Sequence, residues 1–229
     1  MGISLLRRRC TPQIEIVLVS HRTDLGRAAL VVIDLQNDYC HPDGVYARNG
    51  LTCFSASSAI EATGRSVRRA KECGIPVIYA RMMWRSDETG YPIDAGLIVE
   101  HSRPFLRNEG LRRGTWGAEV VSDLPAPDYE VDKTRYSAFH NTTLEPLLRG
   151  LGVETILLAG AITNICVEAT ARDAFHRDFR VVVLADCVTG FDRELHDASL
   201  RTMAIFTRVL MSTDVFDSYE RAHSQRSVA

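Results

Sequence analysis

The chain has 229 residues, a formal net charge of -2, and 45% apolar against 24% charged residues, the balance of one globular domain. That balance gives no electrostatic footprint for nucleic acid or a membrane surface, and no apolar run reaches the ~20 residues that a bilayer span requires. Six cysteines (Cys10, Cys40, Cys53, Cys73, Cys166 and Cys187) stand without CxxC pairs, which disfavours a disulfide scaffold or structural zinc and makes a reducing cytosol the expected compartment. The leading MGISLLRRRC lacks the basic-then-apolar order of a secretory signal, and Leu6 breaks the myristoylation pattern.

In chain order, residues 1–26 read as an N-terminal extension and 27–229 as the domain. Within the extension, QIEIVLV at 13–19 fits an added edge strand, while the arginines at 7–9 fit a mobile arm equally well. A strand over Ala28–Leu35 leads to a polar loop at His41–Gly50, a helix over Ala56–Cys73 stopped by Gly74, and a strand over Pro76–Ala80. Residues 81–116 carry several Gly and Pro without a steady period and read as a long loop with short helical pieces, suited to a site lid or an assembly contact. Beyond it come a strand at Tyr129–Lys133, a helix at Thr143–Leu151 ended by Gly152, and a buried strand at Thr155–Ala159. A helix over Cys166–Arg177, a strand over Val181–Asp186, a helix near Asp192–Val209, a strand near Val209–Ser212 and a charged tail complete the chain. Strands alternating with amphipathic helices predict an α/β fold, a three-layer α/β/α sandwich with a doubly wound, mostly parallel sheet.

Ligands of such sheets bind beyond the carboxyl ends of the strands, which draws attention to Asp34, Lys133 and the GAITNIC turn. Cys166 stands where a buried strand gives way to a helical sequence, so unpaired N–H groups and the helix dipole favour a thiolate there. Taken alone, a cytosolic cysteine more often plugs a helix–sheet interface. Asp34 ends a run otherwise suited to full burial, where a carboxylate needs a partner or a task; a helix-capping role is the competing reading. A lone lysine at a strand end is usually solvated. An acid, an ammonium and a thiol at three strand ends together fit the nucleophile-plus-base arrangement of covalent catalysis.

At these residues the chain resembles the isochorismatase-like hydrolases. VVIDLQNDYC is similar to their first-strand motif, DKTRYSAFHNTTLE to their lysine segment, and GAITNICVEATARDAFHRDFRVVVLADCVTG to their nucleophile segment, over about residues 25–215. Carried over position by position, the resemblance implies Cys166 as nucleophile, Asp34 as general base and Lys133 as the residue supporting both charges. It also implies a cis peptide between Ala161 and Ile162, with the N–H groups of Ile162 and Cys166 as oxyanion hole.

The nicotinamidase branch of the family binds a metal through an Asp-x-His pair after the second strand, but here that strand runs into ARMMWRSDETGY, which has no histidine. The seven histidines show no paired spacing and read mostly as surface residues, so no metal and no cofactor are expected. RYSAFHNTTLE and GAITNICVEATARDAF resemble the branch that cleaves ureido and other linear amides, which implies a ureidoacrylate, biuret, triuret or N-carbamoyl substrate, a thioester intermediate and release of ammonia. In that setting Trp84 and Tyr136 are candidates for an aromatic wall, Asn141 for a hydrogen bond, and Arg81 or Arg135 for a carboxylate clamp, with core packing or solvation as the plain alternative for each. A vinyl-ether hydrolase of isochorismatase type, or a non-catalytic binding or assembly protein of the same fold, remains the alternative. The family further implies a homodimer or homotetramer.

Overall fold

Ala28–Ile33 (β1) is wholly buried, as a strand covered by helices on both faces must be, and it forms the centre of the sheet. The computed structural model describes residues 26–226, so the expected edge strand at 13–19, the arginines at 7–9 and Cys10 lie outside the described residues. From β1 the chain passes through two short helices, α1 (Asn37–Cys40) and α2 (Val45–Arg48), into the long helix α3 (Ala56–Glu72). Val77–Met82 (β2) and Tyr129–Lys133 (β3) then extend the sheet outward. After α4 (Leu144–Gly150) the chain returns to the other side of β1 as Thr155–Ala161 (β4) and builds outward again. The elements there are α5 (Glu168–Phe175), β5 (Arg180–Thr189), α6 (Arg193–Met203), β6 (Arg208–Leu210) and α7 (Ser212–Arg226).

The strand order is β3-β2-β1-β4-β5-β6 and every pair is parallel. Helices α3 and α7 pack on each other over one face, and α5 and α6 pack on each other over the other, giving the expected α/β/α sandwich. The order reverses between β1 and β4, so the crevice at their carboxyl ends is the topological switch point. These two strands approach closely because residue 160 is a glycine at φ 124; a Cβ there would stand 2.6 Å from the Ile33 nitrogen and overlap its carbonyl oxygen.

Both predicted helix stops hold for the same reason. Gly74 and Gly152 take φ 67 and φ 66, and the residue after each returns its N–H to a carbonyl five residues back, Ile75 to Ala70 at 2.8 Å and Val153 to Leu148 at 2.9 Å. Several boundaries differ from expectation, and the expected polar loop at His41–Gly50 contains the short helix α2, whose Val45 and Tyr46 are buried. β5 runs on to Thr189, because past a register shift Val188 and Thr189 pair with Gly160 and Ala161. α6 stops at Met203, whose carbonyl accepts both the N–H and the hydroxyl of Thr207. The charged tail is helical: Val215 and Phe216 are fully buried, and Arg69 of α3 binds Asp217 and Glu220 across the helix pair.

Residues 81–116 hold an irregular path through polar contacts rather than a period. Arg112 is buried and donates to the carbonyls of Gly90, Leu106, Arg107 and Gly110, with its guanidinium 6.0 Å from the Trp84 ring. Asp38, at the other end of the same contacts, accepts the N–H of Leu111 at 2.6 Å and of Val45 at 3.1 Å.

Candidate functional site

Asp34 leaves β1 at φ 49, a left-handed conformation that aspartate tolerates better than most residues, and this turns its side chain across the ends of β2 and β3. Oδ1 accepts the Met82 N–H at 2.8 Å. Lys133, the register partner of Met82 on β3, places Nζ 2.7 Å from Oδ2, and neither side chain is exposed. That second contact is a charge contact outside the angular range of an ordinary hydrogen bond, while the ammonium also donates to the Arg135 carbonyl at 3.1 Å. Gln36, fully buried, fixes the frame. Its carbonyl oxygen shares the Met82 N–H at 2.9 Å, and its amide donates to the carbonyls of Met82 and Ala118 at 2.9 and 2.7 Å.

At the end of β4 the Ala161–Ile162 peptide is cis, and a π-type turn over Thr163–Val167 carries Cys166. The Ile162 carbonyl accepts the N–H groups of Ile165 at 3.0 Å and Val167 at 3.3 Å, on either side of the cysteine. The turn is braced from α6. Thr163 Oγ1 donates to the Thr189 carbonyl at 2.9 Å, so its 2.8 Å contact with His196 assigns the proton to Nδ1 of that ring. His196 is therefore a buried structural residue and not the surface histidine its sequence context suggests; burial lowers its pKa.

Cys166 is 1% exposed and interacts with both Asp34 and Lys133. Burial pushes its thiol far above the usual range, the Lys133 ammonium opposes this, and the Asp34 charge adds to it. Burial also raises the Asp34 carboxyl, against the pull of Lys133, of Cys166 and of the Met82 N–H. For Lys133, burial pulls the pKa down, but its contacts with Asp34 foremost, and with Cys166, outweigh this and the pKa is raised. Burial dominates at the sulfur, and α5 begins only at Glu168, so Cys166 stands in the π-type turn before that helix.

The structure thus brings Asp34, Lys133 and Cys166 together at the switch point, with the backbone of Ile162 beside them. Of the substrate-binding candidates, Tyr136 lies on the wall of a surface cavity. Trp84 is fully buried with Nε1 bonded to the Thr134 carbonyl at 3.3 Å, a core residue and not a stacking surface. Arg81 is ion-paired to Glu130 at 3.0 Å and Asp132 at 2.8 Å. Arg135 donates to the carbonyls of Asp94 at 2.7 Å and Thr134 at 2.8 Å, and exposed Asn141 contacts His140 at 3.3 Å. Trp84 and Arg81 are thus committed to contacts within the fold.

Tyr136 lines a surface cavity of about 450 Å³ with Ser102, Arg103, Asn164, Ile165 and Glu168. A larger cavity, about 940 Å³, lies at the amino ends of the strands around Ala28, Pro76 and Tyr129, far from the switch point, and holds none of this chemistry. Among the described residues no group of three or more His, Cys, Asp or Glu side chains is placed to hold a metal ion, and no helix is long and apolar enough to cross a membrane.

A buried acid, ammonium and thiol thus meet at the switch point of a doubly wound parallel α/β sheet. The chain belongs to the isochorismatase family: the isochorismatase domain model matches residues 28–215. It is 34% identical over 206 residues to the ureidoacrylate amidohydrolase RutB of Methylobacterium radiotolerans, covering 85% of this chain and 80% of that protein. Among solved structures, a cysteine hydrolase from Pseudomonas syringae pv. phaseolicola superposes with a TM-score of 0.75 at 30% identity, over 86% of this chain and 93% of that one. The N-carbamoylsarcosine amidase of Thermoplasma acidophilum gives 0.64 at 28% identity, over 81% and 96%.

Proposed function

We propose that this protein is a cysteine-dependent amidohydrolase that cleaves a small linear amide of ureido type, such as ureidoacrylate, biuret, triuret or an N-carbamoyl compound. The observation that carries the reading is the buried contact of Asp34 with Lys133 beside the Cys166 thiol. A thiol with a raised pKa is inert until a base takes its proton, and a carboxylate with a raised pKa is the stronger base. Asp34 takes the thiol proton as sulfur bonds to the carbonyl carbon, and the carbonyl electron pair moves to oxygen. The N–H groups of Ile162 and Cys166 are assigned to that oxyanion; the Cys166 N–H stands between the two donors already bound to the Ile162 carbonyl. Collapse breaks the carbon–nitrogen bond, and Asp34 returns its proton to the leaving nitrogen. Lys133 stays charged throughout and stabilises the carboxylate and the developing thiolate in turn. Water, deprotonated by the same carboxylate, then hydrolyses the thioester; when a carbamoyl group is on sulfur, the carbamic acid released decomposes to carbon dioxide and ammonia.

The relatives named for ureidoacrylate and N-carbamoylsarcosine support a substrate of this class. A vinyl-ether hydrolase or a binding protein of the same fold would leave the thiol and its base without a task. The proposal takes the cytoplasm as the compartment and a homodimer or homotetramer as the working form, with exposed Ile93 and Leu97 in the 81–116 segment as apolar contact residues. The test is ammonia release from ureidoacrylate, biuret, triuret and an N-carbamoyl amino acid, by wild type and by the Cys166→Ser variant. Release by wild type alone from at least one compound is expected; no release from any of them overturns the reading.

A further inference from the structure

We infer that Arg103 is a specificity-determining residue that binds a carboxylate on the substrate, so that the preferred ureido compound is an acid and not a neutral amide. This rests on the amidohydrolase reading and adds a substrate charge to it. Arg103 lies at the break between the π-type turn Ile98–Ser102 and the 3-10 turn Pro104–Arg107, its backbone N–H bonded to the Ile98 carbonyl at 2.7 Å and its carbonyl accepting the Leu106 N–H at 3.0 Å. The backbone is thus held on both sides while the side chain lines the cavity with Tyr136, Asn164 and Ile165. Asn164 and Ile165 immediately precede Cys166, and Tyr136 follows Lys133 by three residues, so two of the three strand ends that build the site also build this cavity.

The charges around the cavity leave Arg103 as its available cation. Glu168 is committed to Arg172 at 2.6 Å and to the Ser199 hydroxyl at 2.6 Å, which neutralises the second arginine on the wall. The guanidinium of Arg103 donates to the adjacent Ser102 carbonyl at 2.6 Å, and no carboxylate of the described residues pairs with it. A planar guanidinium with donors to spare matches a carboxylate bidentately. Arg103 also lies near Tyr46: burial raises that hydroxyl's pKa, and the Tyr39 hydrogen bond and the Arg103 guanidinium both oppose the rise. Tyr46 stacks on Tyr39 at 4.5 Å and meets Phe105, two residues beyond Arg103, edge-on at 5.3 Å, so packed rings bridge the arginine segment to the catalytic end of β1.

The experiment compares ureidoacrylate with its N,N-dimethylamide, a pair that differs only in the carboxylate and yields ammonia only from the ureido group, in wild type, Arg103→Ala and Arg103→Lys. Loss of the clamp is expected to raise KM for ureidoacrylate about 10- to 100-fold with a smaller change in kcat, the size of one charge-assisted contact. The ratio of kcat/KM between acid and dimethylamide should fall at least about tenfold in Arg103→Ala and recover in part in Arg103→Lys, which keeps the charge without the fork. An unchanged ratio in Arg103→Ala, or a wild type that does not prefer the acid, overturns the inference while leaving the amidohydrolase reading in place. A wild type that releases ammonia from neither compound overturns the inference, and the amidohydrolase reading falls with it only when biuret, triuret and the N-carbamoyl amino acid also release none.

Discussion

Lys133 places its ammonium 2.7 Å from Asp34 Oδ2, and neither side chain reaches solvent. Desolvation makes such a pair costly to break, because removing one partner strands the other as a buried charge. Lys133→Met should therefore lower stability by about 3–5 kcal/mol at pH 8 and abolish turnover. Without the ammonium, burial leaves the folded-state pKa of Asp34 higher still, so the native state binds more protons than the unfolded chain. Stability of the variant then declines as pH rises through that pKa, and the deficit should shrink toward acid. Urea unfolding of both proteins at pH 5 and pH 8 checks this; equal stability at pH 8 rejects a charged pair.

The same environment shapes the rate profile. The proposed reaction needs Asp34 ionised, and its pKa is raised above the ordinary 3.8, so activity should be present above that pKa and lost as pH falls through it. The acid limb of kcat/KM should have its midpoint above 3.8. Lys133 is raised above its ordinary 10.5 and stays charged, so its titration should give no alkaline limb below that value. An acid midpoint at or below the ordinary carboxylate range would remove Asp34 from the role of base.

Trp84 tests the organisation of the 81–116 segment. Its backbone bonds to Leu111 and to Arg113, and its ring is fully buried beside Arg112. Trp84→Ala should destabilise the protein by about 3–5 kcal/mol, as expected for truncation of a large core side chain, with Trp84→Phe milder. Denaturant midpoints read the effect. A stable Trp84→Ala protein with a selectively raised KM would return the residue to the substrate pocket.

The strand ends were legible because burial and chemistry conflict there: Asp34 and Lys133 are charges closing apolar or alternating runs, and each parallel strand delivers such a residue to the same edge of the sheet. The pocket was not legible. Arg81 and Asp132 face each other through the β2–β3 register, which is set by pairing between segments 51 residues apart and leaves no local trace. Gln36, Arg112 and His196 act through contacts with backbone or hydroxyl groups 46, 22 and 33 residues away along the chain. Arg103 stood in a segment without period, where a cation that pairs with acid and one that does not look alike until the fold gathers the neighbouring charges. The helical tail had its signal in Val215 and Phe216, two apolar residues too few to define a helical stripe against Asp217 and Glu220.

Cys166→Ser bears most directly on the chemistry. Sulfur and oxygen are close to isosteric here, and the Cys166 carbonyl would keep its 2.7 Å bond to Thr170 Oγ1, so the variant should fold and melt within about 1 kcal/mol of wild type. Turnover should fall by several orders of magnitude. Burial already holds the thiol far above its ordinary pKa, and a hydroxyl starts several units higher, so the Asp34 carboxylate proposed as base for sulfur cannot deprotonate oxygen to a useful extent. KM should change little, because the walls of the cavity and Arg103 are untouched. Rapid quenching followed by intact mass measurement should show a mass increase on wild type equal to the acyl or carbamoyl group, absent from the serine variant. Near-normal turnover in Cys166→Ser would mean that water attacks the substrate directly, with Asp34 as its base, and the sulfur would then be a packing atom beside an ion pair that runs a different reaction.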